Sequence, residues 1–305
     1  MGQALEAYLA KLHDVDARVA TSKLVILSDL SPEEVQVFKR GWPLIDVRKR
    51  RQIAEWLVEL SEDNLELDFD MVFRAILDDP DGEVKVKAME GLWGSEDDSL
   101  IDDLVDLLKR HSEPPVRAAA AGTLGGFALR AELGDMPVSE ARRVERVLLD
   151  VFDDDEEALE VRRKALEGVS ALSRPEVRDA IRKAYASPGL PLKASAIYAM
   201  GRNCDRNWLP ALLKELRSPH AQLRFEAARA CGELEAPEAV PRLSELISDP
   251  DEEVRLSAIE ALGKIGGPES KEALEGLRDT SDEVLREAVE DALEDIRFWE
   301  DPSGL

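Results

Sequence analysis

Cysteine, histidine, aromatic residues and positive charge are all in short supply in this chain of 305 residues. Two cysteines, Cys204 and Cys231, exclude a disulfide framework and suit a reducing compartment. Aromatics make up only 5% of the chain, and Ala, Leu and Glu are abundant, which favours helices over a β-sandwich or barrel. No apolar run approaches the roughly 20 residues of a membrane span. The segment from Met1 to Leu12 lacks the basic-then-apolar order of a signal peptide, so a cytoplasmic location without membrane association is expected. Lys and Arg number 40 against 65 Asp and Glu, a net charge of −25 that argues against a nucleic-acid surface. The chain is nevertheless 44% hydrophobic, enough for a real core.

What the chain does have is a repeat. Ser187–Gly201, Ser218–Gly232 and Asp249–Gly263 align in one register, each starting 31 residues after the last. In each, a Ser or Asp and a Pro precede an apolar-basic pair: Leu192-Lys193, Leu223-Arg224 and Val254-Arg255. An Ala follows four residues beyond the apolar anchor (Ala196, Ala227, Ala258), an apolar residue eight beyond (Met200, Cys231, Leu262), and then a Gly. Val84, Val116 and Val161 begin similar stretches upstream and Val284 begins one downstream, giving anchor intervals of 32, 45, 31, 31, 31 and 30 residues. Upstream of each turn, apolar residues recur at helical spacing, as in Leu209, Leu212, Leu213 and Leu216. Each unit therefore reads as two helices, with the second burying positions 0, +4 and +8 from its anchor. The trailing Gly reads as a helix C-terminus. One pair has too little core to stand alone, so the stable object is a stack of about seven or eight pairs.

The form Asp-Pro-Asp-x-x-Val-Arg-x-x-Ala-x-x-Ala-Leu-Gly at Asp249–Gly263 resembles the HEAT repeat, in the short variety of about 31 residues associated with bilin lyases. That resemblance implies an all-α fold, a right-handed α-α superhelix in which second helices line a concave face. It also implies ladders between a turn Asp and a basic residue six positions on; Asp79–Lys85 and Asp249–Arg255 match, Ser187–Lys193 and Ser218–Arg224 match in part, and Asp279–Leu285 departs.

The expected organisation is an N-terminal helical cap or degenerate repeat over 1–68, a repeat array over 69–297 with an insertion near 129–140, and a tail over 298–305. In the first segment, helices are expected at Gln3–Leu12 and Val19–Leu30. Ser31-Pro32-Glu33-Glu34 is a helix start with a capping Ser, and Trp42-Pro43 breaks that helix. The insertion either lengthens a helix or projects a loop. Phe298 and Trp299 are expected to cap the far end.

Enzymes of related architecture set the competing function: deoxyhypusine hydroxylase binds iron through His-Glu pairs. This chain has three His (His13, His111, His220), no His-Glu dipeptide and no Cys-x-x-Cys, so no metal, cofactor or catalytic residue is expected, and Cys231 reads as a core thiol. An enzyme or accessory subunit like a bilin lyase or hydroxylase stays the alternative. The basic cluster Lys39, Arg40, Arg48, Lys49, Arg50 and Arg51 reads as a solvated helix face or as an internal counterpart to Glu62, Asp63, Glu66, Asp68 and Asp70. On the second helices, the columns six and ten beyond the anchor bring together Tyr198, Arg202, Arg229, Glu260 and Lys264, with Trp208 either joining them or packing under Arg202. Tyr and Arg are enriched at interface hot spots. The expectation is a non-catalytic scaffold or adaptor that binds a partner protein, one with a basic surface or segment, on this face.

Overall fold

The computed structural model describes residues 2–14, 18–278 and 280–300. Among them are 18 α-helices and no strand, in two compact units, Met1–Val169 and Ser170–Leu305. The first holds α1 (Gly2–Leu12), α2 (Thr21–Leu24), α3 (Pro32–Gly41), α4 (Val47–Asp63), α5 (Asp70–Ile76), α6 (Gly82–Gly91), α7 (Leu100–Arg110), α8 (Pro114–Leu133), α9 (Val138–Asp153) and α10 (Leu159–Val169). The second holds α11 (Pro175–Tyr185), α12 (Leu190–Asn203), α13 (Leu209–Glu215), α14 (Ala221–Glu233), α15 (Val240–Leu246), α16 (Glu252–Ile265), α17 (Gly267–Glu275) and α18 (Glu283–Glu300). Within each unit the fold is an all-helical repeat stack. Second helices form one layer, α4 on α6 on α8 on α10 in the first unit and α12 on α14 on α16 on α18 in the second, and from α5 onward each packs on its own first helix. No described helix is long and apolar enough to cross a membrane.

The burial pattern follows the repeat. Val84, Ala88, Val116, Ala120, Leu124, Val161, Ala165, Ala196, Ala227, Cys231, Val254, Ala258 and Leu262 are all fully buried. Each large side chain removed from water contributes about 1.5–3 kcal/mol before chain entropy is charged against it.

The last repeat corrects the sequence register. Val284 is 50% exposed, whereas Leu285, Val289, Leu293 and Ile296 are buried. The anchor is Leu285, 31 residues after Val254, and Arg286 restores the basic partner that seemed missing. The positions six and ten beyond this anchor are Asp291 and Asp295. Phe298 is 47% exposed, so the buried face of α18, not this ring, covers the end of the second unit; Asp279, the side chain of Trp299 and residues 301–305 lie outside the described part.

The trailing glycines also have a different cause from the expected one. Gly201, Gly232 and Gly263 sit inside their helices, which end instead at left-handed Cys204 (φ 52°), after α14 at Glu235 (φ 45°), and at Gly266 (φ 65°). A Cβ on Gly201 would stand 2.8 Å from Ala230 Cα, and one on Gly232 or Gly263 would stand 3.0 Å from the Cα of Ala261 or Ala292. Close backbone approach between second helices is what requires them.

The turns before α6, α8, α12, α14, α16 and α18 share one chemistry. A side chain five residues ahead of the anchor accepts the N–H two residues on: Asp79 from Asp81, His111 from Glu113, Ser187 from Gly189, Ser218 from His220, Asp249 from Asp251, and Thr280 from Asp282. This gives His111 a structural role. The basic residue after the anchor then ties repeats together. Arg224 donates to both Asp249 carboxylate oxygens (2.8 and 2.7 Å) and to its own turn at Ser218 O, and Arg117 grips Glu157 at 2.9 and 2.6 Å. The ladder thus runs from one repeat's base to the next repeat's acid. Among the described residues, Lys85 reaches the Leu77 carbonyl and Arg255 the Asp249 carbonyl, each within its own turn.

The N-terminal segment joins this scheme. Ser31 and Glu34 form a reciprocal capping box, and α3 ends at Gly41 before a 3-10 turn over Trp42–Leu44. The helix expected over Val19–Leu30 is shorter: α2 passes into a 3-10 turn, Val25–Leu27, and Asp29 takes a left-handed φ of 52° that ends it. On α4, Arg51 binds Asp81 (3.0 and 2.6 Å) and Glu83 (2.6 Å), and Arg50 lies 3.4 Å from Asp79, which also accepts Trp42 Nε1 at 2.7 Å. Arg50 and Arg51 are therefore paired internally, with Asp79, Asp81 and Glu83 at the start of α6 rather than with Glu62, Asp63, Glu66, Asp68 and Asp70, while Arg48 pairs with Asp46 on its own helix cap. Helix α4 packs on α6 and α3 on α5, so residues 32–63 continue the stacking of the first unit toward its N-terminal side.

The insertion lengthens helices. Continuing through Leu133, α8 is 20 residues long, stops at left-handed Gly134, and α9 begins at Val138.

Candidate functional site

The exposed edge of the second-helix layer in the second unit is built by α12, α14, α16 and α18, whose anchors hold them at a spacing of one repeat. Six residues beyond the anchors, Tyr198 is half-buried and Arg229 exposed. The Arg229 guanidinium stands 5.7 Å from the Tyr198 ring centre and 5.6 Å from that of Phe225, so one cation is shared between two rings. Such contacts contribute about 0.5–1 kcal/mol each at exposed sites. Arg229 also faces Glu226 at 3.8 Å, too far for a direct hydrogen bond. On α16, Lys264 binds Glu260 at 2.9 Å and Glu233 of α14 at 2.8 Å. Partial burial alone lowers the Lys264 ammonium, but the hydrogen bonds to Glu233 and Glu260 more than reverse this and hold it above its ordinary value.

Of the six residues read from the sequence, Tyr198 and Arg229 meet, and Glu260 and Lys264 meet, while Arg202 is half-buried near Cys204. Trp208 does not belong to the patch. It is buried, donates from Nε1 to Asn203 Oδ1 at 3.1 Å, and lies under Arg182 (5.7 Å) rather than Arg202. Asn203 in turn donates to the Ser170 and Leu172 carbonyls, which makes this a buried brace between repeats. Sequence reasoning missed Phe225 and Leu256, both half-buried in the column two residues beyond the anchor. Their signal was an aromatic or aliphatic side chain in a column that holds Ala194 in one neighbour and Glu287 in the other.

The arrangement offers a mixed apolar and cationic centre (Tyr198, Phe225, Leu256, Arg229) bordered by Glu226, Glu233 and Glu260. Among the described residues, no group of three or more His, Cys, Asp or Glu side chains is placed to hold a metal ion. His13 meets the Gly41 carbonyl at 3.1 Å, His111 serves its turn, and His220 is exposed. Cys231 is fully buried, and burial followed by the charge of Glu238 pushes its thiol up to about 12.

A stack of helix pairs with a base-to-acid ladder and an open second-helix face defines the α-helical repeat class. The family model for HEAT repeats matches residues 71–142 and 209–294, over half of the chain, and the protein belongs to the HEAT repeat family. No curated protein matches the sequence. Among solved structures, the CpcE–CpcF complex of phycocyanin lyase from Nostoc sp. PCC7120 is 18% identical over 74% of this chain and 94% of that one, with a TM-score of 0.49. Human deoxyhypusine hydroxylase is 20% identical over 97% and 96%, with a TM-score of 0.37. An engineered protein is 21% identical over 65% and 96%, with a TM-score of 0.41.

Proposed function

We propose that this protein is a non-catalytic, cytoplasmic scaffold or adaptor that holds a partner protein on the second-helix face of its second unit. The observation that carries the reading is the Arg229 guanidinium, held over Tyr198 and Phe225 on a closely packed layer with donors to spare. The apolar part of a partner packs on Tyr198, Phe225 and Leu256. Basic residues around that part meet Glu233 and Glu260. Because the layer is locked by the Gly201–Ala230 and Gly232–Ala261 contacts, little ordering entropy remains to be lost on binding. The net charge of −25 favours a basic partner and makes association weaken with salt.

The test is Arg229→Glu combined with Tyr198→Ala. Both side chains lie off the core, so helicity is expected to be unchanged while partner capture is lost. Unchanged capture of every cellular partner would refute the assignment. Metal analysis and an absorption spectrum of the purified protein test the non-catalytic reading, since stoichiometric iron or a bound chromophore would overturn it.

A further inference from the structure

The turn before α14 departs from the ladder in charge. At the turn before α16, Asp249 receives Arg224 and Asp251 caps the helix by accepting the Val254 N–H. Before α6, Asp79 and Asp81 occupy the same two positions and do the same work. Before α14 those positions are Ser218 and His220, and the His220 side chain makes no cap bond. This turn carries neither acid, as is also true of the turn before α12 with Ser187 and Gly189.

Cations gather at that place. Lys193, Lys214, Arg217 and His220 line an open cleft of about 760 Å³, together with Pro210, Leu213 and Pro219 among others. The single carboxylate in its lining, Glu215, is buried and already shared: Tyr185 Oη donates to it at 2.6 Å, and the ammonium groups of Lys193 and Lys214 lie at 2.9 and 3.8 Å. Burial alone would raise the Glu215 carboxyl, but the Tyr185 and Lys193 hydrogen bonds hold it below its ordinary value, so it stays ionised. Arg217 is exposed and makes no side-chain hydrogen bond or ion pair among the described residues. Three full positive charges therefore face one negative charge, in a chain whose net charge is −25.

We propose that this cleft binds a phosphoryl group, whose charge replaces the two missing turn acids. A phosphate monoester carries about −1.5 to −2 at neutral pH, which matches the local excess better than one carboxylate does. The Arg217 guanidinium offers a two-pronged grip, with Lys193 and Lys214 as point charges beside it. The cleft shares no residue with the Tyr198–Arg229 patch, so it stands or falls separately from the docking face.

The experiment is a titration of the ¹⁵N-labelled full chain with inorganic phosphate, ionic strength being held constant with sodium chloride. Saturable shifts are expected at the amides of Arg217, His220 and Leu223 and at the Arg217 side chain. Lys214→Glu with Arg217→Glu, both exposed positions, should abolish saturation while circular dichroism stays unchanged. Ser218→Asp returns a carboxylate to the turn and should weaken phosphate binding by at least about tenfold, or roughly 1.4 kcal/mol. A phosphoserine peptide run in parallel identifies the source: tighter binding than inorganic phosphate assigns the cleft to a phosphorylated partner, and equal binding assigns it to a small phosphate. Shifts no larger than those of the chloride control, or identical titrations of wild type and both variants, would overturn the proposal.

Discussion

Alanine placed at two glycines one turn apart on α8 should move stability in opposite directions. At Gly122 an added Cβ would meet nothing within 4 Å. The position is interior to a 20-residue helix, so Gly122→Ala should gain most of the glycine-to-alanine helix propensity, about 1 kcal/mol. At Gly126 the same Cβ would stand 2.1 Å from the Trp93 carbonyl oxygen, a backbone atom at the end of the neighbouring repeat. Relieving that overlap requires the 92–94 turn to move away from α8. Overpacking of this kind costs about 1–3 kcal/mol or more, which exceeds the propensity gain. The two variants should differ by about 2 kcal/mol or more. For a unit of this size each kcal/mol corresponds to about 2–4 °C, so Gly122→Ala should melt a few degrees above wild type and Gly126→Ala a few degrees below. Far-UV circular dichroism on heating, with urea unfolding as a cross-check, reads both. A Gly126→Ala protein as stable as Gly122→Ala would show that α8 and the turn after α6 are not in backbone contact at that point.

Three further outcomes follow from the same packing. Ala258→Arg puts a charge into a fully buried position of α16 and should cost more than about 4 kcal/mol, visible as loss of the second unit's folded signal; an unchanged melting temperature would contradict the register. Asp249→Ala leaves the Arg224 guanidinium, only 11% exposed, without its acid and should cost about 3 kcal/mol in urea unfolding at neutral pH. Burial alone would raise the Asp249 carboxyl, but the hydrogen bonds from Arg224 and the Asp251 N–H hold it below its ordinary 3.8. Its stabilisation is therefore complete above pH 3.8 and lost as pH falls through the lower folded value, so the difference between wild type and variant should shrink on acidification. Of the two thiols, Cys204 is exposed and Cys231 buried; a thiol reagent should titrate one group in the native protein and the second only after unfolding.

The repeat was legible because burial at 0, +4 and +8 recurs in each copy with the same residue types. It slipped by one place at the end because Val284-Leu285, Ala288-Val289 and Ala292-Leu293 are adjacent small or apolar pairs, and only packing chooses which member faces inward. The glycines were visible but their cause was not: a trailing Gly suits both a helix end and a close crossing, and the neighbour's Cα decides. Trp208 was misjudged for a similar reason. Its partner Asn203 is fixed by carbonyls at Ser170 and Leu172, more than thirty residues upstream, which no local pattern records. At the candidate face, the Tyr198–Arg229 contact followed from columns one repeat apart, whereas half-burial of Phe225 and Leu256 depends on how far neighbouring helices overlap.

The most direct test of the docking face is site-specific photo-crosslinking in cells, with a benzoylphenylalanine at Phe225 and, as control, at exposed Glu272 on α17. A discrete protein adduct is expected from position 225, absent from position 272 and abolished by Arg229→Glu. Equal adducts at both positions, or none at 225 in the folded protein, would contradict the claim that this face holds a partner.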